Sequence, residues 1–218
     1  MRYIGAMCGR YVSGTDELTW RQWVAILRGE LPSEDERVPE ELTPRPVQPG
    51  SEVVALVRAE AGGPAFSVLR ARWGFVMPSA RGLYFNLRAE TAATRFATLA
   101  RGQRCAVPAM SFELASGESG ARNRERYRVQ GPSPLLLAGL WDDGAGDAGR
   151  RITVLTRASS PELAPIHERA PLLVPPERLS EWLGGVEAAP LIRDLCSAPG
   201  PAFSVEKLEA REAPIRRR

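Results

Sequence analysis

Apolar residues recur at helical spacing along the segment that begins at Thr15. They fall at Trp20, Trp23, Val24, Leu27 and Leu31. This spacing predicts an amphipathic helix packed on the core, with Thr15 or Asp16 as its N-cap. A short helix is also predicted over "ETAATRFATLARG", ending near Gly102, and another over "PPERLSEWLGG", which has proline in its first turn and glycine at its end.

Other stretches have the β-branched and aromatic content of strands. The stretches "EVVALVRA" and "AFSVLRARWGFV" are separated by the turn "EAGGP" and predict a hairpin. Further strands are predicted over "CAVPAMSFEL" and "RITVLTR", and a second hairpin should pair "RERYRVQ" with "PLLLAGLWDD". Residues 32–50 carry several prolines and a charge cluster, which indicates a surface connection. The pattern predicts an α+β fold, a single domain with a mainly antiparallel β core and peripheral helices.

The composition is that of a globular protein. The chain has 218 residues, of which 44% are hydrophobic and 25% charged, enough for one compact domain. No apolar run approaches the roughly 20 residues that span a bilayer, and the start "MRYIGAM" is too short and polar for a signal peptide. We therefore expect a cytoplasmic protein without a membrane partner. The net charge of +3 comes from arginine, with Lys207 as the one lysine, which leaves nucleic acid open as a partner.

The chain has three cysteines, Cys8, Cys105 and Cys196, and one histidine, His167. The odd number and the unpaired spacing indicate reduced thiols rather than a disulfide framework. So few soft ligands make a metal site unexpected, and we expect no cofactor. Cys105 and Cys196 are predicted to be core residues, and the chain is expected to be a monomer.

Two interpretations of Cys8 remain open at this point. As an internal residue, Cys8 is a small hydrophobe of the first strand. If translation starts at Met7 and Met7 is then removed, Cys8 gains a free α-amine. Residues 1–6 are in that case a leader or an upstream-start extension. The amine, with a pKa of about 8, and the thiol, with a pKa of about 8.5, are both partly nucleophilic at neutral pH. Together they can capture an aldehyde as an imine that closes to a five-membered thiazolidine.

Several other residues each allow a functional and a structural interpretation. His167 can transfer protons or be a hydrogen-bonded structural residue. Glu113 ends a predicted strand, where it can act as an acid or base or simply face water. Asn86 and Arg88 are two residues apart and share one face of an extended segment, where they can bind a polar substrate group and a phosphate.

Tryptophan and proline in "RWGFVMP" allow the same two interpretations. Trp73, with Pro78, can form part of the core or present a wedge that stacks on bases.

Six motifs occur in an order that resembles the SOS-response-associated peptidase (SRAP) family. They are "MCGRY", "RWGFVMP", "FNLRAET", "RCAVPAMSFE", "LLLAGLW" and "ITVLTRASSPELAPIHERAP", and they extend from residue 7 to about residue 176. The resemblance implies a SRAP-like domain over residues 7–212, followed by a basic tail at 213–218. It also implies covalent capture of abasic sites in single-stranded DNA, as a thiazolidine that shields the lesion in the DNA damage response.

The family resemblance assigns catalytic roles to four residues. Cys8 would be the nucleophile through its amine and its thiol. Asn86 would orient the opened sugar, and Glu113 would transfer protons at the amine and the imine. His167 would assist the opening of the abasic sugar to its aldehyde. Possible autopeptidase and abasic-site lyase activities, and a purely non-covalent single-strand binder, are the alternatives.

The resemblance also implies a DNA-binding surface. Arg10 and Arg88 match positions that grip the phosphates flanking the lesion, and Trp73 and Pro78 would lie near the strand and base-stack contacts.

Four positions depart from the family's usual pattern. Pro46 stands where an asparagine is usual, and Leu114, Ala80 and Ala170 replace bulkier side chains. These changes predict a wider cavity or a weaker grip on DNA.

Overall fold

A computed structural model of the chain describes residues 2–3, 9–17, 20–22, 25, 38–59, 66–76, 82–117, 124–132, 135–144, 149–185 and 187–209. The strands are β1 (Arg2–Tyr3), β2 (Tyr11–Ser13), β3 (Arg45–Val47), β4 (Glu52–Arg58), β5 (Phe66–Trp73), β6 (Phe75–Val76), β7 (Gly82–Tyr84), β8 (Asn86–Arg88), β9 (Arg104–Ala115), β10 (Arg126–Gln130), β11 (Leu135–Asp142), β12 (Arg151–Ala158), β13 (Arg169–Pro171) and β14 (Ser204–Leu208). The helices are α1 (Ala89–Arg95), α2 (Ala97–Gly102), α3 (Leu179–Leu183) and α4 (Ala188–Ser197), with 3-10 turns at Glu40–Leu42 and Pro176–Arg178.

Five strands close into a ring. Strand β9 pairs with β11, β11 with β12, β12 with β5, β5 with β4, and β4 again with β9. The β12–β5 pair is parallel and the others are antiparallel. Alternate residues of each strand fill the interior, where Gly139 lies close to Cys105. A Cβ atom at residue 139 would lie 2.9 Å from the Cys105 Sγ atom, so glycine permits this close packing.

Helices α1 to α4 cover part of the outer face of the ring and share one apolar cluster with it. Arg104 joins the layers, because its Nε donates to the Trp182 carbonyl and its Nη1 donates to the Ala100 carbonyl at 2.6 Å. The Trp182 indole in turn donates to the Cys105 carbonyl at 2.8 Å. These bonds satisfy polar groups that would be costly to bury unpaired, and they hold α3 against β9. No helix within the described ranges is long and apolar enough to cross a bilayer.

The first predicted hairpin is confirmed, whereas the second is wrong. Strands β4 and β5 pair antiparallel from Glu52 opposite Arg72 to Arg58 opposite Phe66; their turn lies outside the described residues. Strands β10 and β11 instead both pair with β9, end to end along one edge. At 12 residues, β9 offers enough backbone donors and acceptors for two partners, and these need pairing when buried.

The helical predictions hold with changes at their ends. The "ETAATRFATLARG" segment forms two helices, because Phe96 leaves helical geometry with φ −114° and ψ 27°. The "PPERLSEWLGG" segment is a 3-10 turn followed by α3. In the early helix, residues 17, 20–22 and 25 are helical and Trp20 is buried, while Trp23, Val24, Leu27 and Leu31 lie outside the described residues.

Two further segments differ from the expectations. Within 32–50, where a surface connection is predicted, residues 45–47 form a strand that pairs with β2. Helix α4 and strand β14 were not predicted. The expected α+β single domain with a mostly antiparallel sheet is the fold observed.

Candidate active site

Strand β2 brings Gly9 and Arg10, which directly precede it, to the C-terminal half of β9. Tyr11 pairs with Phe112, and the Glu113 amide donates to the Arg10 carbonyl at 3.0 Å. Gly9 and Arg10 therefore lie beside Glu113. Cys8 lies outside the described residues, but it directly precedes Gly9 in the sequence.

A cavity of about 200 Å³ opens at this place. Its walls come from the residues before β2, the end of β9, and the start of β10 with the residues just before it. They are Gly9, Arg10, Glu113, Leu114, Ala115, Arg124 and Arg126. Three guanidinium groups surround a single carboxylate, so the net charge of the walls favours an anionic ligand. Cations grouped in this way suit phosphate oxygens.

Glu113 forms an ion pair with Arg126. The Arg126 Nε donates to Oε2 of Glu113 at 3.1 Å, and Nη2 donates to the same oxygen. The two side chains are only 21% and 27% exposed, respectively, so solvent screens the pair less than a surface pair. The guanidinium of Arg124 donates to the carbonyls of Ala115 and Ser116, at 2.6 Å and 3.2 Å, which ties the start of β10 to the end of β9.

Asn86 and Arg88 lie on β8, which pairs in parallel with β12. Asn86 is opposite Val154 and Arg88 is opposite Thr156. The Thr156 hydroxyl donates to the Leu87 carbonyl at 3.0 Å, which fixes the two strands further. Asn86 is 8% exposed. Arg88 is 65% exposed, and its Nη2 lies 3.8 Å from the Glu168 carboxylate, a distance at which an exposed pair contributes little.

Trp73 lies in the core, which is one of the two interpretations that the sequence left open. Its ring is 1% exposed, so it offers no face for stacking in this structure. It packs edge-on against Tyr11, with ring centroids 4.8 Å apart, and against Phe85 at 5.7 Å. Its indole donates to the Phe85 carbonyl at 2.7 Å. Trp73 thus connects the strand that follows Arg10 to the segment that leads into Asn86.

His167 ends the turn that connects β12 to β13. Its amide donates to the Leu163 carbonyl at 3.0 Å, and its Nδ1 lies 3.0 Å from both the amide nitrogen and the carbonyl oxygen of Arg169. A neutral ring with its proton on Nε2 accepts from the amide, whereas a ring with a proton on Nδ1 donates to the carbonyl. The backbone of Arg169 can therefore hold the ring with its proton on either nitrogen.

The Arg169 side chain is itself anchored. Its guanidinium donates to both carboxylate oxygens of Glu90, at 2.9 Å and 2.8 Å, and to the Thr156 carbonyl at 2.6 Å. The hydrogen bond from Arg169 is the main cause that lowers the pKa of the Glu90 carboxyl. Because Thr156 also pairs with Arg88, Arg169 and Arg88 are fixed to the same end of β12.

The expected site residues thus form two groups. Arg10 and Glu113 line the cavity on β9, while Asn86, Arg88 and His167 are arranged around the end of β12. The Tyr11, Trp73 and Phe85 rings connect the two groups. Pro78 and Ala80 lie outside the described residues, as does Cys8.

The positions that depart from the family pattern occupy different environments. Leu114 and Ala170 are buried in the interior cluster of the ring. Their side chains therefore do not line a path for a DNA strand in this structure. Pro46 is exposed on β3.

The two other cysteines are free thiols. Cys105 is fully buried and its pKa is raised by desolvation, as expected for a core residue. Cys196 is partly buried, and burial also raises its pKa. In the described part of the chain, no group of three or more His, Cys, Asp or Glu side chains is placed to hold a metal ion.

A sequence model of the SOS response associated peptidase (SRAP) family matches residues 7–212. The chain belongs to this family. Among SRAP relatives, abasic site processing protein YedK of Escherichia coli is 27% identical over 210 residues, covering 91% of this chain and 90% of YedK. Abasic site processing protein YobE of Bacillus subtilis is 29% identical over 125 residues, and that match spans only 57% of YobE.

Solved structures share the SRAP fold seen here. A phage-related protein of Bordetella bronchiseptica aligns with a TM-score of 0.70 at 23% identity, covering 93% of this chain and 95% of that protein. A protein of Bacteroides thetaiotaomicron aligns with a TM-score of 0.65 at 16% identity, over 93% and 92% of the two chains.

Sequence reasoning missed Arg126 and the anchoring role of Arg169. Arg169 stands in the "IHERAP" motif, so the motif pointed to the residue without giving its role. Arg126 carried no such signal, because its contact with Glu113 depends on how β10 is aligned with β9.

Proposed function

We propose that this SRAP protein acts at abasic sites in single-stranded DNA and forms a covalent thiazolidine with them through Cys8 as the N-terminal residue. Support comes from membership of the family and from relatives named as abasic site processing proteins. The reaction requires a free α-amine on Cys8, so residues 1–6 must be absent or removed and Met7 must be removed as well.

The cavity beside Gly9 is the observation that carries this proposal. Glu113 lies in its wall, and the Glu113 amide is bonded to Arg10, two residues after Cys8. A carboxylate near an N-terminal amine can accept its proton and return it later. Arg10 and Arg124 of the same walls supply positive charge for the phosphates on either side of a lesion.

The chemistry balances without a cofactor. The Cys8 amine attacks the aldehyde carbon to give a carbinolamine, and Glu113 takes the proton that the nitrogen loses. The same proton is returned to the aldehyde oxygen, which becomes the carbinolamine hydroxyl. The proton of the Cys8 thiol, passed on through Glu113, then converts this hydroxyl to water, which leaves and gives an iminium. The Cys8 thiolate then attacks the iminium carbon and closes the ring, so that one aldehyde and one aminothiol yield one thiazolidine and one water.

The residues around the end of β12 would open and orient the abasic sugar. An abasic sugar is mostly a closed hemiacetal, and its opening needs proton transfer to the ring oxygen and from the hydroxyl. His167 would assist this step, Asn86 would orient the opened sugar, and the exposed Arg88 would contact a phosphate. Held in this way, the aldehyde meets Cys8 in a local reaction rather than a bimolecular one.

The test is intact-mass analysis of protein started at Met1 and at Met7, before and after incubation with an oligonucleotide that carries one abasic site. We expect the Met7 start to give protein that begins at Cys8 and a stable adduct heavier by the oligonucleotide minus one water. Cys8→Ala should abolish the adduct, whereas the control Cys196→Ser should not. An undiminished adduct in Cys8→Ala would refute the proposal.

The same measurements distinguish the alternatives. If protein started at Met1 matures to Cys8, but the Glu113→Gln and His167→Ala variants do not, the chain processes itself as a peptidase. An adduct trapped only by borohydride, together with strand cleavage, would indicate lyase chemistry through an imine. Equal, salt-sensitive binding to intact and abasic strands without any adduct would indicate a non-covalent binder.

A further inference from the structure

Two arginines of β10 lie on the same face as Glu113, and they have different partners. Arg128 is directly opposite Glu113 in the β10–β9 register, and Arg126 is opposite Ala115. Nevertheless Arg126 forms the ion pair with Glu113. Contacts between diagonal neighbours of this kind are within reach of long side chains.

Two features favour the pairing of Glu113 with Arg126 rather than with Arg128. Glu206 on β14 is opposite Arg128 on the other side of β10, and it accepts a hydrogen bond from the Arg128 Nη1 at 3.0 Å. Arg128 is thereby directed away from the cavity. Ala115 has only a methyl group opposite Arg126, which leaves space for the guanidinium to reach Glu113.

Two nitrogen atoms of the Arg126 guanidinium donate to the same carboxylate oxygen of Glu113. Nε and Nη2 bond Oε2 of Glu113, and no donor among the described residues bonds Oε1. Two bonds from one planar group to the same oxygen hold Oε2 in position. Arg124 ties the chain just before Arg126 to the end of β9, so the backbone that carries the guanidinium is also held.

We propose that Arg126 is a positioning residue: it holds Oε2 of Glu113 so that Oε1 serves as the proton acceptor for the Cys8 amine. Arg126 itself neither gains nor loses a proton. This inference rests on the proposed function, and it assigns Arg126, a cation in the wall of the cavity, to Glu113 rather than to DNA phosphate.

The test compares Arg126→Met with Arg128→Met, which removes the same charge from the same face of the same strand. We expect the rate constant of adduct formation at saturating abasic oligonucleotide to fall about 10- to 100-fold in Arg126→Met, since a small misplacement of a catalytic group has effects of this size. The rate should be unchanged in Arg128→Met. Arg126→Lys keeps the charge but lacks the two-donor fork, so its rate should lie between those of the wild type and Arg126→Met.

Two further measurements separate positioning from DNA binding and from loss of fold. The Kd for an undamaged single strand, from fluorescence anisotropy, should agree within about twofold between Arg126→Met and Arg128→Met; a loss of affinity confined to Arg126→Met, with a salt slope lower by about 1, would identify a phosphate contact and overturn the proposal. The double variant Glu113→Gln/Arg126→Met should be as slow as Glu113→Gln alone, because residues that act as a unit are not additive. Multiplied effects would also overturn it.

The outcome for the wild type keeps the two proposals apart. If the wild type forms no adduct, the proposed function fails and the positioning role fails with it. If the wild type and Arg126→Met form adduct at the same rate, only the positioning role is refuted.

Discussion

Trp73→Phe tests whether the buried tryptophan supports the fold or contacts DNA. The substitution removes the indole donor to the Phe85 carbonyl and part of a ring that packs against Tyr11 and Phe85. The carbonyl keeps one partner, since the Val154 amide also donates to it at 3.0 Å, so no acceptor is left unpaired. A lost hydrogen bond and the space left by the smaller ring should together cost about 2–4 kcal/mol.

Urea unfolding and thermal melting measure this cost directly. For a chain of this size, 2–4 kcal/mol corresponds to a decrease in Tm of roughly 4–16 °C. The matched control is Trp141→Phe. Trp141 is half-buried and its ring centroid lies 6.0 Å from the Arg150 guanidinium, a contact that contributes about 1 kcal/mol or less at an exposed site.

Affinity for single-stranded DNA separates the two roles of Trp73. Stacking on one base contributes about 1–3 kcal/mol. The smaller phenyl ring would keep only part of this energy, so the Kd would rise in Trp73→Phe if Trp73 stacked on DNA. We expect Trp73→Phe to leave the Kd unchanged at a temperature where the variant is folded. A weaker affinity with unchanged stability would show that Trp73 reaches the bases, and the assignment of Trp73 to the core would be wrong.

Two further predictions concern pH and thiol reactivity. Arg169 lowers the pKa of Glu90 in the folded state, so the pair stabilises the fold above the unfolded value of about 4.3 and loses this effect as the pH falls through the lower folded value. The Glu90 side chain is 58% exposed, so Glu90→Gln should cost under about 1 kcal/mol in urea unfolding at pH 7; a difference of the same size at pH 2 would contradict the ion pair. Cys105 is buried with a raised pKa, so native-state maleimide labelling followed by mass analysis should modify Cys196 well before Cys105, and labelling of Cys105 as fast as in denaturant would contradict the core assignment.

The hairpins show which parts of the fold could be predicted from the sequence. The β4–β5 pair joins strands that are close in the chain, with the alternation and the glycine-rich turn that local patterns reveal. The segment between β10 and β11 contains Gly131 and Pro132 and resembles a turn in the same way. Both strands instead pair with β9, a choice made by contacts distant in sequence, which a local pattern does not contain.

The candidate site residues also differ in whether local sequence or distant contacts determine their place. Glu113 and His167 are candidates through the family resemblance, because the residues alone left a functional and a structural interpretation open for each. Whether Trp73 faces the core or the solvent depends on closure of the ring of strands. The contact of Arg126 with Glu113 depends on a diagonal neighbour and on Glu206 two strands away, and neither is visible before the strands are aligned.

The C-terminal half of β9 pairs with β2 on one edge and with β10 on the other. Successive side chains of a strand face opposite sides, so a one-residue deletion between Pro108 and Phe112 would bring Leu114 to the place of Glu113. The deletion would change the pairing with β2 and with β10 at once, and it would separate the carboxylate from Arg10 and from Arg126. The site should therefore tolerate almost no change of length within β9.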